Sequence, residues 1–243
     1  MKEKLSRREM LRLTGATMAT ALVGCASDAP ETTNVVRTSA GAPSCVVRPE
    51  QTEGPYFVDT MLRRSDIRTD PTDGSISPGV PLRLTFNVSR VEGDACAPVE
   101  GAIVDVWQCD AAGVYSGVRD MNGFFDTREK KFLRGYMKTD VEGMAEFMTI
   151  YPGWYRGRAV HIHFKIRTDP ESDRGREFTS QLYFNDAVTV QVHTREPYLQ
   201  HGPPPEKNEV DGIFRRGGDR LLLDLAEDGE GYAAIFSIGL EIS

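Results

Sequence analysis

The chain is short of the residues that most familiar site chemistries use. Its 243 residues hold four histidines, four cysteines and two tryptophans. Neither a His-Glu-x-x-His nor a paired Cys-x-x-Cys pattern occurs, so the usual signatures of zinc sites are missing. No internal repeat or apolar heptad recurs, which excludes solenoids and coiled coils. No apolar run reaches the roughly 20 residues that span a bilayer as a helix. Positive charge is in deficit, with 29 Lys and Arg against 36 Asp and Glu and a formal charge of −7. Such a surface repels phosphate backbones, so nucleic acid is excluded as a partner.

What is present begins with a leader. A basic start is followed by a short apolar run, Leu11 to Gly24, that closes on small residues, the pattern of a targeting segment rather than of folded structure. Ser6-Arg7-Arg8-Glu9-Met10-Leu11 reads as a twin-arginine export signal, which suits a protein that acquires its cofactor before export. Leu22-Val23-Gly24-Cys25 resembles a lipobox, which implies an acylated Cys25 as the first mature residue and a membrane anchor through it. Ordinary soluble secretion with an incidental cysteine is the competing reading. The expected location is the bacterial cell envelope, periplasmic or at the surface. Removing residues 1–24 takes away five basic and two acidic residues, leaving the remainder at −10. Residues 25–43, rich in Ser, Thr, Ala and Pro, have the composition of a flexible tether. Residues 44–243 are long enough to bury one core without disulfides. Cys45, Cys96 and Cys109 leave room for a disulfide between two of them, the third being an inert buried thiol by default.

From Val80 onward, short alternating or apolar runs are separated by Gly, Pro, Asp and Asn, the strand-and-turn signature. The spacing predicts an all-β body, a single β-sandwich with few or no helices. Strands are expected over Leu82–Val91, Ala102–Gln108, Arg134–Thr139, Ala145–Ile150, Val160–Arg167, Ser180–Phe184 and Tyr232–Ile242. Turns are expected at 110–113, 140–143 and 152–153. Ala187–Tyr198 is ambiguous, and Leu199–Gly202 ahead of three prolines reads as loop.

His161 and His163 fall two apart in a predicted strand, so both imidazoles project from one face. Imidazole suits iron, copper, nickel and zinc alike. Alone, such a pair is as often a surface or hydrogen-bonded pair as a metal site. The text around it is more specific: Tyr151-Pro152-Gly153-Trp154-Tyr155-Arg156-Gly157-Arg158-Ala159-Val160-His161-Ile162-His163. A second landmark is Gly113-Val114-Tyr115-Ser116-Gly117, after a strand that ends in Trp107-Gln108-Cys109-Asp110.

These two segments resemble the active-site segments of the intradiol ring-cleavage dioxygenases, the family of the protocatechuate and catechol 1,2-type enzymes. Cys45–Phe57, Arg64–Ile67, Leu133-Arg134-Gly135, Thr139-Asp140-x-x-Gly143, Phe147–Pro152 and Gln181-Leu182-Tyr183-Phe184 are similar to the family's exported bacterial and fungal branch. The resemblance implies one non-haem Fe(III) per chain on Tyr115, Tyr155, His161 and His163, with Tyr115 and His161 equatorial and the other two axial. The chemistry agrees, because a phenol with a reference pKa near ~10 stays protonated at neutral pH unless a strong Lewis acid holds the phenolate.

The resemblance further implies that a catechol chelates the iron, that Tyr155 leaves the metal and accepts a substrate proton, and that O2 opens the ring between the hydroxylated carbons to give a muconate. Arg158 matches the family arginine over the ring, where its charge stabilises developing negative charge. Gln181 matches a polar residue nearby. Tyr56 and Arg134 are secondary pocket candidates, while Arg156, His193, Arg195 and His201 lie outside the expected roles. A histidine is common in the exported branch where Gln108 stands, but that place carries no ligand. The helical N-terminal domain of the catechol enzymes has no counterpart here. A partner subunit is not demanded, since one chain carries all four residues, and a homo-oligomer stays open. The reading from another class is a transthyretin-like sandwich that binds small aromatics without chemistry, because fold does not determine function.

Overall fold

The computed structural model describes residues 46–93, 95–169 and 175–242. The expected leader, the tether and Cys25 and Cys45 lie outside these residues.

Nine strands form two sheets. In the first, β1 (Pro81–Glu92) is the spine. It pairs in parallel with β9 (Gly231–Leu240), which pairs in turn with β8 (Ala226–Asp228). Its other edge is shared by β5 (Met144–Ile150) along Pro81–Asn87 and β2 (Ala95–Pro98) along Ser89–Glu92, both antiparallel. The second sheet runs β4 (Arg134–Lys138), β3 (Ile103–Trp107), β6 (His161–Arg167), β7 (Glu177–Tyr183), all antiparallel.

Alternation decides which faces meet. Leu82, Leu84, Phe86 and Val88 are fully buried on one face of β1, with Arg83 and Thr85 between them on the other. Ile162, Phe164 and Ile166 do the same for β6. The two faces interlock at Phe164, whose ring lies 5.2 Å from Phe86 and 5.4 Å from Phe236. Each such ring contributes roughly 1.5–3 kcal/mol by leaving water, and the aromatic contacts fix the sheet-to-sheet register.

The seven expected strands are all present, with ends displaced by up to three residues. The two not expected, β2 and β8, are short edge pieces. One α-helix, α1 (Asp186–Val192), resolves the ambiguous stretch. Its β-branched sequence is a poor helix former. It is held by an Asn185 side-chain cap on the Ala187 N–H at 2.8 Å and by Thr189, whose hydroxyl meets that of Tyr151 at 2.6 Å. Leu199 and Gln200 fall in a 3-10 turn, Tyr198–Gln200, rather than open loop. Cys96 is disulfide-bonded and Cys109 is a free buried thiol.

The second sheet matters because of its far face. Register lines up Arg134, Trp107, His163 and Gln181 as cross-strand neighbours in one row over β4, β3, β6 and β7. His161 stands beside Tyr183 in the same way. All six residues are buried, covered by loops and by the segment that precedes β1.

Candidate active site

Strand β6 supplies the two histidines, and the pleat aims both at one point: their Nε2 atoms are 3.1 Å apart. The His161 Nδ1 faces the Ala159 carbonyl at 2.6 Å, so Nδ1–H donates and Nε2 keeps its lone pair. His163 is fixed by packing. Trp107 stacks on it at 5.0 Å and 8°, and beneath it Gly54 sits at φ +74°, where a Cβ would come within 3.2 Å of Cε1. Burial, reinforced by the Arg158 charge, holds His161 well below the usual imidazole range, and burial with His161 alongside does the same for His163. Both rings are neutral and able to donate lone pairs.

The tyrosines arrive on two loops that pack back to back. Tyr115 follows β3 through a turn in which the Asp110 carboxylate accepts from the Ala112 and Val114 N–H groups, both at 2.9 Å. Tyr155 follows Pro152-Gly153. The Gly153 N–H donates to the Asp110 carbonyl at 3.0 Å, and a Cβ on Gly153 would meet the Asp110 and Ala111 carbonyls at 2.5 Å. Gly113, at φ +79°, has the same constraint against the Trp154 carbonyl.

Four groups therefore converge. The Tyr155 hydroxyl is 3.2 Å from His161 Nε2, and the Tyr115 ring lies 5.6 Å from that of Tyr155. The Tyr115 hydroxyl is buried and makes no hydrogen bond. Burial pushes its phenol well above the ordinary value and raises Tyr155 to about 12, with the Arg158 charge partly offsetting the latter. An unsatisfied buried hydroxyl costs roughly 1–3 kcal/mol, which a fold tolerates where something else completes the group. Among the described residues no cluster of three or more His, Cys, Asp or Glu could hold a metal. The donor set on offer is two imidazoles and two phenols, and it fits a strongly Lewis-acidic ion.

Arg158 borders this point. Its Nη1 lies 3.4 Å from both Tyr155 Oη and His161 Nε2. Its other nitrogens are occupied: Nε donates to Asp211 at 2.9 Å and Nη2 to the Gln181 amide oxygen at 2.5 Å. Gln181 in turn donates to the Thr52 carbonyl at 2.9 Å. Asp211, absent from the sequence expectations, also accepts from the Ala159 N–H at 2.8 Å and the Ile213 N–H at 2.7 Å. The Arg158 charge, supported by those N–H bonds, keeps its carboxyl below the usual range against the opposing effect of burial.

The secondary candidates have structural places. Arg134 donates to the Ser116 hydroxyl at 2.9 Å and to the Tyr56 carbonyl at 3.3 Å, tying the Tyr115 loop to the sheet. Tyr56 packs on Tyr115 at 4.8 Å. Gln108 is turned away, bonded to Thr149 and the Ile150 carbonyl. His193 and His201 buttress the Tyr155 loop through the Pro152 carbonyl at 3.2 Å and the Trp154 carbonyl at 3.0 Å, and His201 also lines the cleft that opens onto Tyr155. Nothing in spacing alone announces those two contacts.

A cleft of about 710 Å³ opens onto Tyr155 and Arg158, walled by Pro55, Tyr56, Val114, Phe125, Trp154 and Ile213 among others. A mostly apolar recess with a few convergent polar groups is the usual form of a small-molecule site.

A family model described as Dioxygenase matches residues 52–194. The chain is 30% identical over 184 residues to the protocatechuate 3,4-dioxygenase beta chain of Burkholderia cepacia, covering 70% of each chain. It is 28% identical over 157 residues to a chlorocatechol 1,2-dioxygenase of Pseudomonas putida, covering 57% of this chain and 54% of that one. Its fold is similar to the intradiol ring-cleavage dioxygenase from Tetranychus urticae, with a TM-score of 0.67, 30% identity and coverage of 81% and 95%. A dioxygenase domain from a Streptomyces carbohydrate-binding fusion aligns with a TM-score of 0.56 at 29% identity, covering 82% of this chain and all of that one. With the matched model spanning more than half of the sequence, the chain belongs to the intradiol ring-cleavage dioxygenase family.

Proposed function

We propose that this protein opens a catechol-type ring between its two hydroxylated carbons with O2, giving a muconate-type product, and that Tyr115, Tyr155, His161 and His163 hold one Fe(III) for the purpose. The observation that carries the reading is the convergence of two buried imidazoles, the buried Tyr115 phenol and the half-buried Tyr155 phenol beside one arginine. Bound there, ferric iron would supply Lewis acidity toward a catechol, favouring its ionised form and readying the ring for O2.

The remaining work falls to the chain. Tyr155 faces the cleft and the Arg158 guanidinium, so Oη, if a bound metal held it as the phenolate, would be the atom placed to accept a proton from an incoming catechol hydroxyl. Arg158 presents a fixed positive charge at 3.4 Å from that oxygen, where negative charge on a bound ring is stabilised without reorganisation. Gln181 and Asp211 hold the guanidinium in that pose. The apolar walls exclude water and strengthen the electrostatics inside.

We further propose that the mature protein begins at an acylated Cys25 and works from the cell envelope, as the sequence pattern of residues 6–25 supports.

The deciding experiment is the visible spectrum of the purified protein with iron quantified, before and after adding catechol without oxygen. A burgundy phenolate-to-iron band that shifts on catechol is expected. A protein that stays colourless after iron reconstitution would overturn the iron assignment and move the reading to a binding module.

A further inference from the structure

The cleft is larger than one dihydroxylated ring requires. Its volume of about 710 Å³ lies within the roughly 300–1,000 Å³ that houses drug-sized ligands, while the polar groups that would engage a catechol, Tyr155 and Arg158, sit at its inner end. The outer part is bordered by the turn Asp120–Phe125. Two large apolar side chains on this turn line the cleft and yet face water: Met121 is 76% exposed and Phe124 79% exposed.

That exposure is not the product of a loose loop. The Asp120 carboxylate accepts from the Asn122 N–H at 2.9 Å, the Phe124 N–H at 3.2 Å and the Tyr56 hydroxyl at 2.5 Å. The Asp120 N–H donates to the Phe125 carbonyl at 3.0 Å, closing the turn. A turn so braced holds Met121 and Phe124 at the mouth, and its one carboxylate is consumed in doing so. Phe125 and Ile213 continue the apolar lining inward. Arg156 also borders the cleft and is exposed.

We propose that the mouth of the cleft is a second subsite, formed by Met121, Phe124, Phe125 and Ile213, which takes an uncharged aryl or alkyl arm carried on the catechol ring. This inference rests on the ring-cleavage reading for the catechol end and adds the substrate class. The energetic source is apolar surface on the turn that is exposed in the free protein and covered by the arm.

The test is calorimetric titration of the iron-loaded full chain under argon with catechol, 4-phenylcatechol and 3,4-dihydroxybenzoate, in the wild type, Phe124→Ala and Phe124→Leu. The wild type is expected to bind 4-phenylcatechol at least about tenfold more tightly than catechol. Phe124→Ala is expected to remove most of that ratio and Phe124→Leu to restore part of it. Equal affinities for catechol and 4-phenylcatechol would overturn the subsite, as would a ratio unmoved in Phe124→Ala or tightest binding of 3,4-dihydroxybenzoate. Admitting oxygen then separates the two claims. An intact arm preference without ring opening overturns the ring-cleavage reading and keeps the subsite; ring opening without arm preference does the reverse.

Discussion

Asp211 stands 53 residues from Arg158 in sequence, yet it accepts from Nε of that arginine and, with its own side chain fully buried, forms no ion pair with a second cation among the described residues. Sequence reasoning finds Arg158 and Gln181 because they lie in matching segments; it cannot find Asp211, which sits in a long loop with no periodic pattern around it. Tyr115 and Tyr155 are legible in the same way as Arg158, each lying in a segment that resembles the family's active-site pattern. Replacing Asp211 by Asn puts an amide N–H against two donors, the Arg158 Nε and the Ala159 N–H. The expected outcome is a loss of roughly 10–100-fold in kcat through misplacement of the guanidinium, with iron content and the visible band retained. Unaltered turnover in a variant with normal iron content would deny Asp211 its positioning role. Loss of one partner from a buried pair also costs about 3–5 kcal/mol, so unfolding is measured on the same sample.

At the level of elements, the alternation in β1 and β6 was enough to predict strands and to put both histidines on one face. The edge strands β2 and β8 were not legible, being three or four residues long with Pro98 and acidic residues in them. Helix α1 is a case where packing overrides weak propensity. The tyrosine loops depend on carbonyls meeting a missing side chain. Gly153→Ala forces a Cβ onto the Asp110 and Ala111 carbonyls. We expect a destabilisation of about 2 kcal/mol, a fall of about 4–8 °C in Tm for a domain of this size, and weakened iron retention. A calorimetric scan with unaltered Tm would contradict it.

The turn that begins at Asp70 permits a test of pH dependence away from the site. Asp70 is fully buried and accepts from the Thr72 N–H at 2.9 Å, the Thr72 hydroxyl at 2.7 Å and the Lys131 N–H at 3.1 Å. Burial alone would raise its carboxyl; these bonds prevail and lower it. A depressed folded-state value means that the contribution is complete above the unfolded value near ~4 and is lost as pH falls through the folded one. Asp70→Asn should therefore cost about 1–2 kcal/mol at pH 7, and the gap to wild type should narrow on acidification. Denaturant midpoints for both proteins across that range measure it; a gap that widens in acid would be the wrong sign.

For the whole molecule, the class of fold was readable from strand spacing, but not its closure. β1 pairs in parallel with β9, joining residues near 85 to residues near 235, and no local pattern signals a contact at that separation. The proposed anchor is tested on the intact chain. The full-length protein is expected in the membrane fraction and Cys25→Ala in the soluble fraction after export. A Cys25→Ala protein that still sediments with membranes would dismiss the lipid anchor.

The segment just ahead of the sandwich bears on how the chain can be processed. Gln51 donates its N–H to the Thr179 carbonyl, Ser180 donates to the Pro49 carbonyl, Thr52 anchors Gln181, and Gly54 lies beneath His163. The stretch from Pro49 to Gly54 is thus itself a wall of the reaction chamber. If the chain is held at Cys25 as proposed, a protease that cuts ahead of residue 46 would release the domain with this wall intact, whereas a cut between Pro49 and Gly54 would break it. Release and inactivation would then be two readings of one cleavage, told apart only by where the blade falls.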